Sequence, residues 1–263
     1  MYLRAALTLV TNRRSRDTLP GRVVERGGVT VDRSHLAAYD RVCGFRLSDT
    51  LPATYPHILA FPLSMELMTA PDFPFPVVGL VHVANRITVA RPLSADSSFD
   101  LSVSAVDLRS HDRGQQLDIV AVATVDDVEV WRGVSTYLRR SGSSGSGGGP
   151  SGASVPAPSA IWRVPADIGR QYAAVSGDRN PIHTSRLGAR LFGFPRPIAH
   201  GMWSMARCLA SLDGRLPDEY TVDVAFKRPI LLPARVGFHA APAWEFSVHD
   251  AKSGRPHVMG TVT

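Results

Sequence analysis

Alternating hydrophobic and polar positions predict two sets of β-strands, one in each half of the chain. Both sets are rich in Val and show the period-two pattern of half-buried strands. The first set covers Val77 to Val89, Phe99 to Leu108, Leu117 to Val125 and Val128 to Leu138. The second covers Val222 to Leu232, Val236 to Ala243, Trp244 to Asp250 and His257 to Thr263.

Two predicted helices precede the strands in each half. The segments Val31 to Gly44 and Val164 to Gly177 carry Tyr, Val and Gly at the same spacing. A more apolar helix follows, over His57 to Met68 and Ile198 to Leu212. Because the last of these is apolar on most faces, it should be buried. The order of elements indicates an internal repeat of a buried helix followed by an antiparallel sheet, an α+β architecture.

A Gly/Ser-rich segment at residues 141–154 has the composition of a linker. It predicts a first domain over residues 1–140 and a second over residues 155–263. The apolar segment Leu3 to Val10 is short and lacks a cleavage pattern, so no signal peptide is predicted. No apolar run approaches the length of a membrane span, and Cys43 and Cys208 lie in apolar helical patterns. Reduced, buried thiols in a cytoplasmic protein are the simplest account.

The chain has a net charge of +6, which alone would be compatible with nucleic acid. The arginines are scattered, however, and no basic run is interleaved with aromatic residues. A cationic surface suits equally well the phosphates of an acyl-CoA or an acidic carrier protein. The charge alone does not select among these partners, and we expect no nucleic acid.

The segment Ser176-Gly177-Asp178-Arg179-Asn180-Pro181-Ile182-His183 holds the candidate chemistry. Gly177 is suited to end a helix with positive φ, and Pro181 keeps Asn180 out of the helical region. Asp178 and His183 are thus expected on a tight turn, as an acid/base pair requires. A plain turn would also explain Asp, Asn and Pro together.

Metal binding by the same residues is weakly indicated. A calcium loop is excluded, since its third ligand position would fall on Ile182. A zinc site from Asp178, His183 and His200 is conceivable but has no recognised spacing, so no metal and no other cofactor is predicted.

Three ordered segments resemble the MaoC-like, (R)-specific enoyl-thioester hydratases, also called hydratase 2. The first is the Gly-Asp-x-Asn-Pro-x-His pattern that ends at His183. The second is Arg196-Pro197-Ile198-Ala199-His200-Gly201-Met202, and the third is Phe226-Lys227-Arg228-Pro229. The resemblance implies a tandem hotdog fold that reproduces in one chain the sheet of a two-subunit relative. The protein would then be a monomeric pseudo-dimer or a homodimer of such chains.

The resemblance also implies an activity, the reversible hydration of trans-2-enoyl thioesters. In the opposite direction, (3R)-3-hydroxyacyl thioesters are dehydrated. Asp178 and His183 would be the acid/base pair, Asn180 would brace the turn or orient a water, and the Gly201 N–H would face the thioester oxygen. His200 is a packing, capping or substrate-contacting residue, and Lys227 and Arg228 would lie near the CoA entry or simply be solvated.

The first half lacks the acid/base residues. Matching Gly44 with Gly177 places Phe45 opposite Asp178 and Thr50 opposite His183, and Ala60-Phe61 opposite His200-Gly201. One active site, in the second half, is therefore predicted, with the first half shaping its pocket.

The apolar helix of the first half is the candidate wall of an acyl tunnel. Pro56 and Pro62 should kink the helix or delay its start. Leu59, Leu63 and Leu67, four residues apart on one face, would then line or back the tunnel or form plain core. Two alternatives to a hydratase stay open, an acyl-thioesterase with the same fold and a non-catalytic acyl-binding subunit of a lipid-synthesis complex.

Overall fold

A computed structural model gives the structure of the protein and describes residues 18–141 and 156–263. The predicted linker, apart from Ser141, and the segment Leu3 to Val10 lie outside these residues. The helices are α1 (Arg33–Cys43), α2 (Tyr55–Met68), α3 (Ile168–Ser176), α4 (Pro181–Thr184), α5 (Arg186–Leu191) and α6 (Gly201–Leu212). The strands of the first half are β1 (Val24–Val29), β2 (Leu80–Val89), β3 (Phe99–His111), β4 (Gly114–Val125) and β5 (Val128–Arg140). Those of the second half are β6 (Ala160–Val164), β7 (Tyr220–Phe226), β8 (Ala234–Ala240), β9 (Glu245–Asp250) and β10 (Pro256–Val262).

All ten strands form one antiparallel sheet in the order β1-β3-β4-β5-β2-β7-β10-β9-β8-β6. The order of the second half is that of the first half reversed, so the two halves are related by a pseudo-twofold axis between β2 and β7. Those two strands pair from Ala84 with Ala225 to Val89 with Tyr220. Each half is a hotdog, an antiparallel sheet wrapped around one buried helix, as the sequence predicts.

The two long helices owe their burial to their composition. α2 has Leu63, Met65 and Leu67 in the core at 2% exposure or less, and α6 likewise buries Met205 and Leu209. Cys43 and Cys208 are buried and free, as predicted. Among the described residues, no helix is long and apolar enough to cross a membrane.

The first helices of the two halves meet across the pseudo-twofold axis. The rings of Tyr39 on α1 and Tyr172 on α3 lie 6.3 Å apart, and His35 Nε2 lies 2.8 Å from the Val175 carbonyl oxygen. Both helices end on a glycine with positive φ, Gly44 at 84° and Gly177 at 73°. The left-handed conformation is one that glycine adopts without steric cost, which confirms the expected helix ends.

Beyond these glycines the repeat is interrupted, and the correspondence expected for Thr50 is wrong. Thr50 forms a β-bridge with Ser94, just as Ile198 bridges Leu231, so the counterpart of Thr50 is Ile198 and not His183. Thr50 lies six residues after Gly44, whereas Ile198 lies 21 residues after Gly177. The second half therefore has a longer connection here, and α4 and α5 lie within it.

The other expected correspondence, of Ala60-Phe61 with His200-Gly201, is also wrong. Gly201 begins α6, whereas Ala60 and Phe61 lie inside α2, which begins at Tyr55. α2 runs through Pro62 without interruption, and Pro56 occupies its first turn, where proline is tolerated. The prediction of a late start is therefore wrong.

Candidate active site

The longer connection of the second half begins after α3, and Asp178 is the second residue beyond the end of that helix. The backbone N–H of Asp178 donates to Ser176 Oγ at 3.2 Å, and the N–H of Asn180 donates to an Asp178 carboxylate oxygen at 3.1 Å. The Asn180 side-chain oxygen in turn accepts from the Ile182 N–H at 3.3 Å and caps α4. Asn180 has the contacts of a bracing residue, and Pro181 begins α4 because its fixed φ suits the first helical position.

His183 lies on α4 and is oriented by its own backbone neighbours. Its Nδ1 lies 2.8 Å from the Ile198 carbonyl oxygen, which can only accept, so Nδ1 carries the hydrogen. Nε2 is then the atom with a free lone pair. Burial lowers the pKa of His183, although the Asp178 carboxylate and the bond to Ile198 act in the opposite direction. The imidazole is consequently neutral at pH 7.

His200 joins the turn to the start of α6. Its Nε2 lies 3.0 Å from the Asp178 carbonyl oxygen, and its ring stacks on His183 with centroids 3.7 Å apart. The side chain is 3% exposed, and burial, together with the nearby His183, lowers the pKa of His200 to about 3. A neutral His200 therefore fixes the position of the Asp178 backbone through its hydrogen bond and that of the His183 ring through stacking.

The three side chains converge on one point. A carboxylate oxygen of Asp178 and a ring nitrogen each of His183 and His200 all lie within 4.8 Å of one another. Two hydrogen bonds of about 2.8 Å to a shared water span such a separation. Asp178 and His183 can therefore hold one water between them.

The same cluster is a poor match to a zinc site. His200 Nε2 carries its hydrogen toward the Asp178 carbonyl, and its other nitrogen, Nδ1, is buried with no hydrogen-bond partner among the described residues. That leaves one oxygen and one nitrogen lone pair at the shared point, whereas zinc sites use three or four protein ligands.

Gly201 is the first residue of α6, next to this cluster. The first amide of α6 that donates along the helix is that of Ser204, to the His200 carbonyl oxygen at 3.1 Å. The N–H groups of Gly201 to Trp203 precede it and are free of helical partners, as at the start of any helix. A Cβ on Gly201 would meet the Phe226 ring at 3.2 Å, so glycine lets the helix begin close to the sheet.

Two glycines outside the predicted motif, Gly169 and Gly188, pack closely against the backbone of α4. A Cβ on Gly169 of α3 would clash with the His183 carbonyl oxygen, and one on Gly188 of α5 would lie 2.7 Å from the Pro181 carbonyl oxygen. Each of these glycines lies inside a helix and does not cap it, and a glycine at such a position often marks close packing. This is the sequence feature by which they could be found.

The first half also contributes a group of rings to this site. His57, His82 and Tyr137 form a stack, with 6.4 Å between the first two rings and 4.8 Å between the last two. Burial lowers the pKa of His57 and His82 and raises that of Tyr137, and the nearby Asp178 charge acts on all three groups as well, so the rings lie close to the acid/base pair. His82 also packs edge-on at 5.0 Å against Phe226, the ring that faces Gly201.

The remaining predicted residues lie farther from the cluster. Arg228 is exposed and lines a cleft next to the site, while Lys227 is exposed outside that lining. Leu63 is 2% exposed and belongs to the core, as does Leu67, whereas Leu59 is partly exposed. Leu63 thus packs within the hydrophobic core cluster, and its role toward an acyl chain stays a prediction.

Comparison with known proteins places the chain in a family. Residues 150–249 match the model of the MaoC like domain. Over 254 residues the chain is 40% identical to 3-hydroxyacyl-thioester dehydratase X of Mycobacterium tuberculosis, covering 94% of this chain and 90% of that protein. The protein belongs to the MaoC-like dehydratase family.

Solved structures agree with this fold. The crystal structure of HtdX from M. tuberculosis has a TM-score of 0.82 and 38% identity, covering 92% of this chain and 99% of that one. A conserved hypothetical protein of M. tuberculosis, described as a double hotdog, has a TM-score of 0.59 at 13% identity. It covers 94% of this chain and 96% of its own, and its likeness concerns the fold alone.

Proposed function

We propose that the protein adds water reversibly to trans-2-enoyl thioesters, and so dehydrates (3R)-3-hydroxyacyl thioesters. The carrying observation is the convergence of Asp178 and His183 within 4.8 Å beside the start of α6. The name of the M. tuberculosis relative, a 3-hydroxyacyl-thioester dehydratase, supports the same reaction class. The enzyme is a hydro-lyase of acyl thioesters in fatty-acid metabolism.

His183 is the base toward water in this proposal. Its Nδ1–H donates to the Ile198 carbonyl, so the Nε2 lone pair accepts a proton from the bound water. Because burial lowers the pKa of His183, the neutral form that catalysis needs is present at pH 7. Asp178 holds the second side of the water.

The proton balance closes within the pair. Hydroxide adds at Cβ as the proton leaves water for the Asp178–His183 pair, and a proton from the pair is delivered to Cα on the same face. The pair thus returns to its starting state after each turnover. Asp178 and His183 are coupled groups, so their protonation steps belong to the pair.

The thioester oxygen gains negative charge as the Cα–Cβ double bond is attacked. The Gly201 N–H, at the positive end of α6, donates to this oxygen. A preorganised donor of this kind contributes about 3 kcal/mol to transition-state stabilisation. His200 acts as a positioning residue, and Arg228 faces the carrier, which is CoA or an acyl carrier protein.

Two assays on one substrate test the proposal. With crotonyl-CoA, hydration removes the ultraviolet absorbance of the conjugated enoyl thioester and releases no thiol. Thiol release without hydration would instead identify a thioesterase, and binding without turnover would identify an acyl-binding subunit. Either result would overturn the hydratase proposal.

A further inference from the structure

Two buried polar groups of the second half lie side by side, and each lacks a hydrogen-bond partner. Within the described part of the chain, neither the hydroxyl of Tyr172 on α3 nor Nδ1 of His200 is hydrogen-bonded. The two side chains are only 2% and 3% exposed, and their ring centroids lie 4.9 Å apart. Because an unpaired buried polar group is costly, such groups in folded proteins nearly always have a partner.

The two groups are complementary as donor and acceptor. Burial lowers the pKa of His200 to about 3, so the ring is neutral at pH 7. Its one hydrogen is on Nε2, 3.0 Å from the Asp178 carbonyl oxygen, which leaves a lone pair on Nδ1. Burial raises the pKa of Tyr172, so its hydroxyl keeps its hydrogen. An unused donor thus lies beside an unused acceptor.

The first half makes the equivalent contact. Tyr39 and Tyr172 are each the fifth residue before the glycine that ends their helix. Thr54 and His200 are each the residue immediately before the long helix of their half. The Tyr39 hydroxyl donates to Thr54 Oγ1 at 2.7 Å. The internal repeat therefore sets a tyrosine hydroxyl against the residue that precedes the long helix, and in the second half that residue is His200.

We propose that the Tyr172 hydroxyl donates its hydrogen to His200 Nδ1, directly or through one buried water, and that Tyr172 is thereby a positioning residue for the reaction. The second part of this inference rests on the proposed function. With Nδ1 engaged, the hydrogen of His200 stays on Nε2, because the bond made by one ring nitrogen sets the state of the other. Nε2 then holds the Asp178 backbone, and the ring stays stacked on His183. Tyr172 thus acts on the acid/base pair without touching substrate.

Loss of the hydroxyl has a defined consequence for the site. Without it, the lone pair on His200 Nδ1 is buried and unpaired, which penalises the ring in its present state. His200 is then stabilised by turning its ring or by moving its hydrogen to Nδ1, and either change releases the Asp178 carbonyl. The acid/base pair loses a contact that fixes its geometry, although both of its own side chains are unchanged.

Nitrogen NMR of the full chain with isotopically labelled histidine rings tests the contact without relying on turnover. The signals of His200 are assigned by their absence from a His200→Phe variant. In Tyr172→Phe, which removes only the hydroxyl group, we expect the Nδ1 and Nε2 signals of His200 to shift. Tyr39→Phe is the matched control, because it makes the same change at the pseudo-symmetric position, where the partner is Thr54. It should leave the His200 signals as in the parent.

Kinetics on crotonyl-CoA test the effect on the reaction. Tyr172→Phe should lower kcat about tenfold with KM within about twofold, because displaced acid/base groups slow the chemical step more than they weaken binding. Tyr39→Phe should keep kcat within about twofold. In a His200→Phe background, which keeps the ring but lacks Nδ1, Tyr172→Phe should cause no further loss, since the two residues act through one contact.

Several results would overturn the proposal. Unchanged His200 signals in Tyr172→Phe would do so, as would a parent-like kcat in that variant or an equal loss in the parent and His200→Phe backgrounds. A loss of the same size in Tyr39→Phe would assign the Tyr172 hydrogen to the Tyr39 oxygen and would overturn it too. If the parent protein does not turn over crotonyl-CoA, the proposed function fails, while the NMR signals still decide whether Tyr172 contacts His200.

Discussion

His183 and His200 stack face to face, with ring centroids 3.7 Å apart, although 17 positions separate them in the chain. The stack joins the two ends of the site, the turn after α3 and the start of α6. Because Nδ1 of His183 is engaged by Ile198 and Nε2 of His200 by Asp178, both tautomers are set by backbone carbonyls. The proposed acid/base chemistry then depends on the side chains of Asp178 and His183, each of which can be tested by a single substitution.

Removing either member of the acid/base pair should abolish most turnover. We expect Asp178→Asn and His183→Ala each to lower kcat on crotonyl-CoA at least about 100-fold, the usual scale for lost acid/base catalysis. Both side chains lie on the connection outside the core cluster, so melting temperatures should stay close to that of the parent. Turnover near the parent rate in either variant would refute the assignment.

Thr50 provides a control in the other half. Its bridge to Ser94 is made by the backbone, so Thr50→Ala should keep the rate within about threefold. A loss comparable to that of His183→Ala would mean that the first half takes part in the chemistry.

Gly169 should matter to catalysis without touching substrate. In Gly169→Ala, the new Cβ would clash with the His183 carbonyl oxygen, so α4 must move away from α3. We expect a stability loss of about 1–3 kcal/mol together with a lower kcat. Gly21→Ala is the control, since a Cβ there meets no atom of the described residues within 4 Å. Parent-like kcat in Gly169→Ala would show that His183 tolerates the displacement.

Leu63 should behave as a core residue. Leu63→Ala removes a side chain that is 2% exposed and should cost about 2–5 kcal/mol of folding stability. Crotonyl-CoA and a long-chain enoyl-CoA should lose activity equally, in step with the melting temperature. Selective loss of the long substrate would instead restore Leu63 as a wall of the acyl site.

Acid should destabilise the protein through its buried histidines. Burial lowers the pKa of His57 to about 4 and those of His82 and His200 to about 3, from an ordinary 6.5. Below pH 6.5 the unfolded chain binds more protons than the folded one, so the free energy of unfolding falls as the pH drops from 6.5 toward 4.

His82→Phe should weaken this dependence. The change removes one titrating ring and a buried Nε2 that has no hydrogen-bond partner in the part of the chain that the structure describes, while a ring stays stacked between His57 and Tyr137. Thermal unfolding at pH 5 and pH 7 measures the effect, and the gain in melting temperature should be larger at pH 5. Equal shifts at both pH values would show that His82 does not contribute to the dependence.

Periodicity sufficed for the long strands and the buried helices because these elements pack one face against the core. It missed β1 and β6, which lie at the two edges of the sheet. β1, Val-Glu-Arg-Gly-Gly-Val, has no alternation, because no buried face requires one. The prediction that Thr50 corresponds to His183 is wrong because the second half has extra residues after Gly177. These residues have no hydrophobic pattern that could be aligned with the first half.

The candidate site was predictable in part for a related reason. Asp178, Asn180 and His183 lie in one short motif, so local sequence was enough to group them. The cleft that Arg228 lines also draws on Arg196, Arg235 and Arg255, which only the pairing of strands brings together. The same holds for His82 and Tyr137, which are cross-strand partners on β2 and β5.

The pairing of β2 with β7 has a consequence for behaviour at low concentration. In a relative built from two separate subunits, dilution below the dissociation constant would separate the halves and dismantle the shared sheet. Here both strands belong to one polypeptide, so each half meets the other at an effective molarity that the bulk concentration does not change. The first half therefore stays next to the candidate active site however few copies of the protein a cell contains.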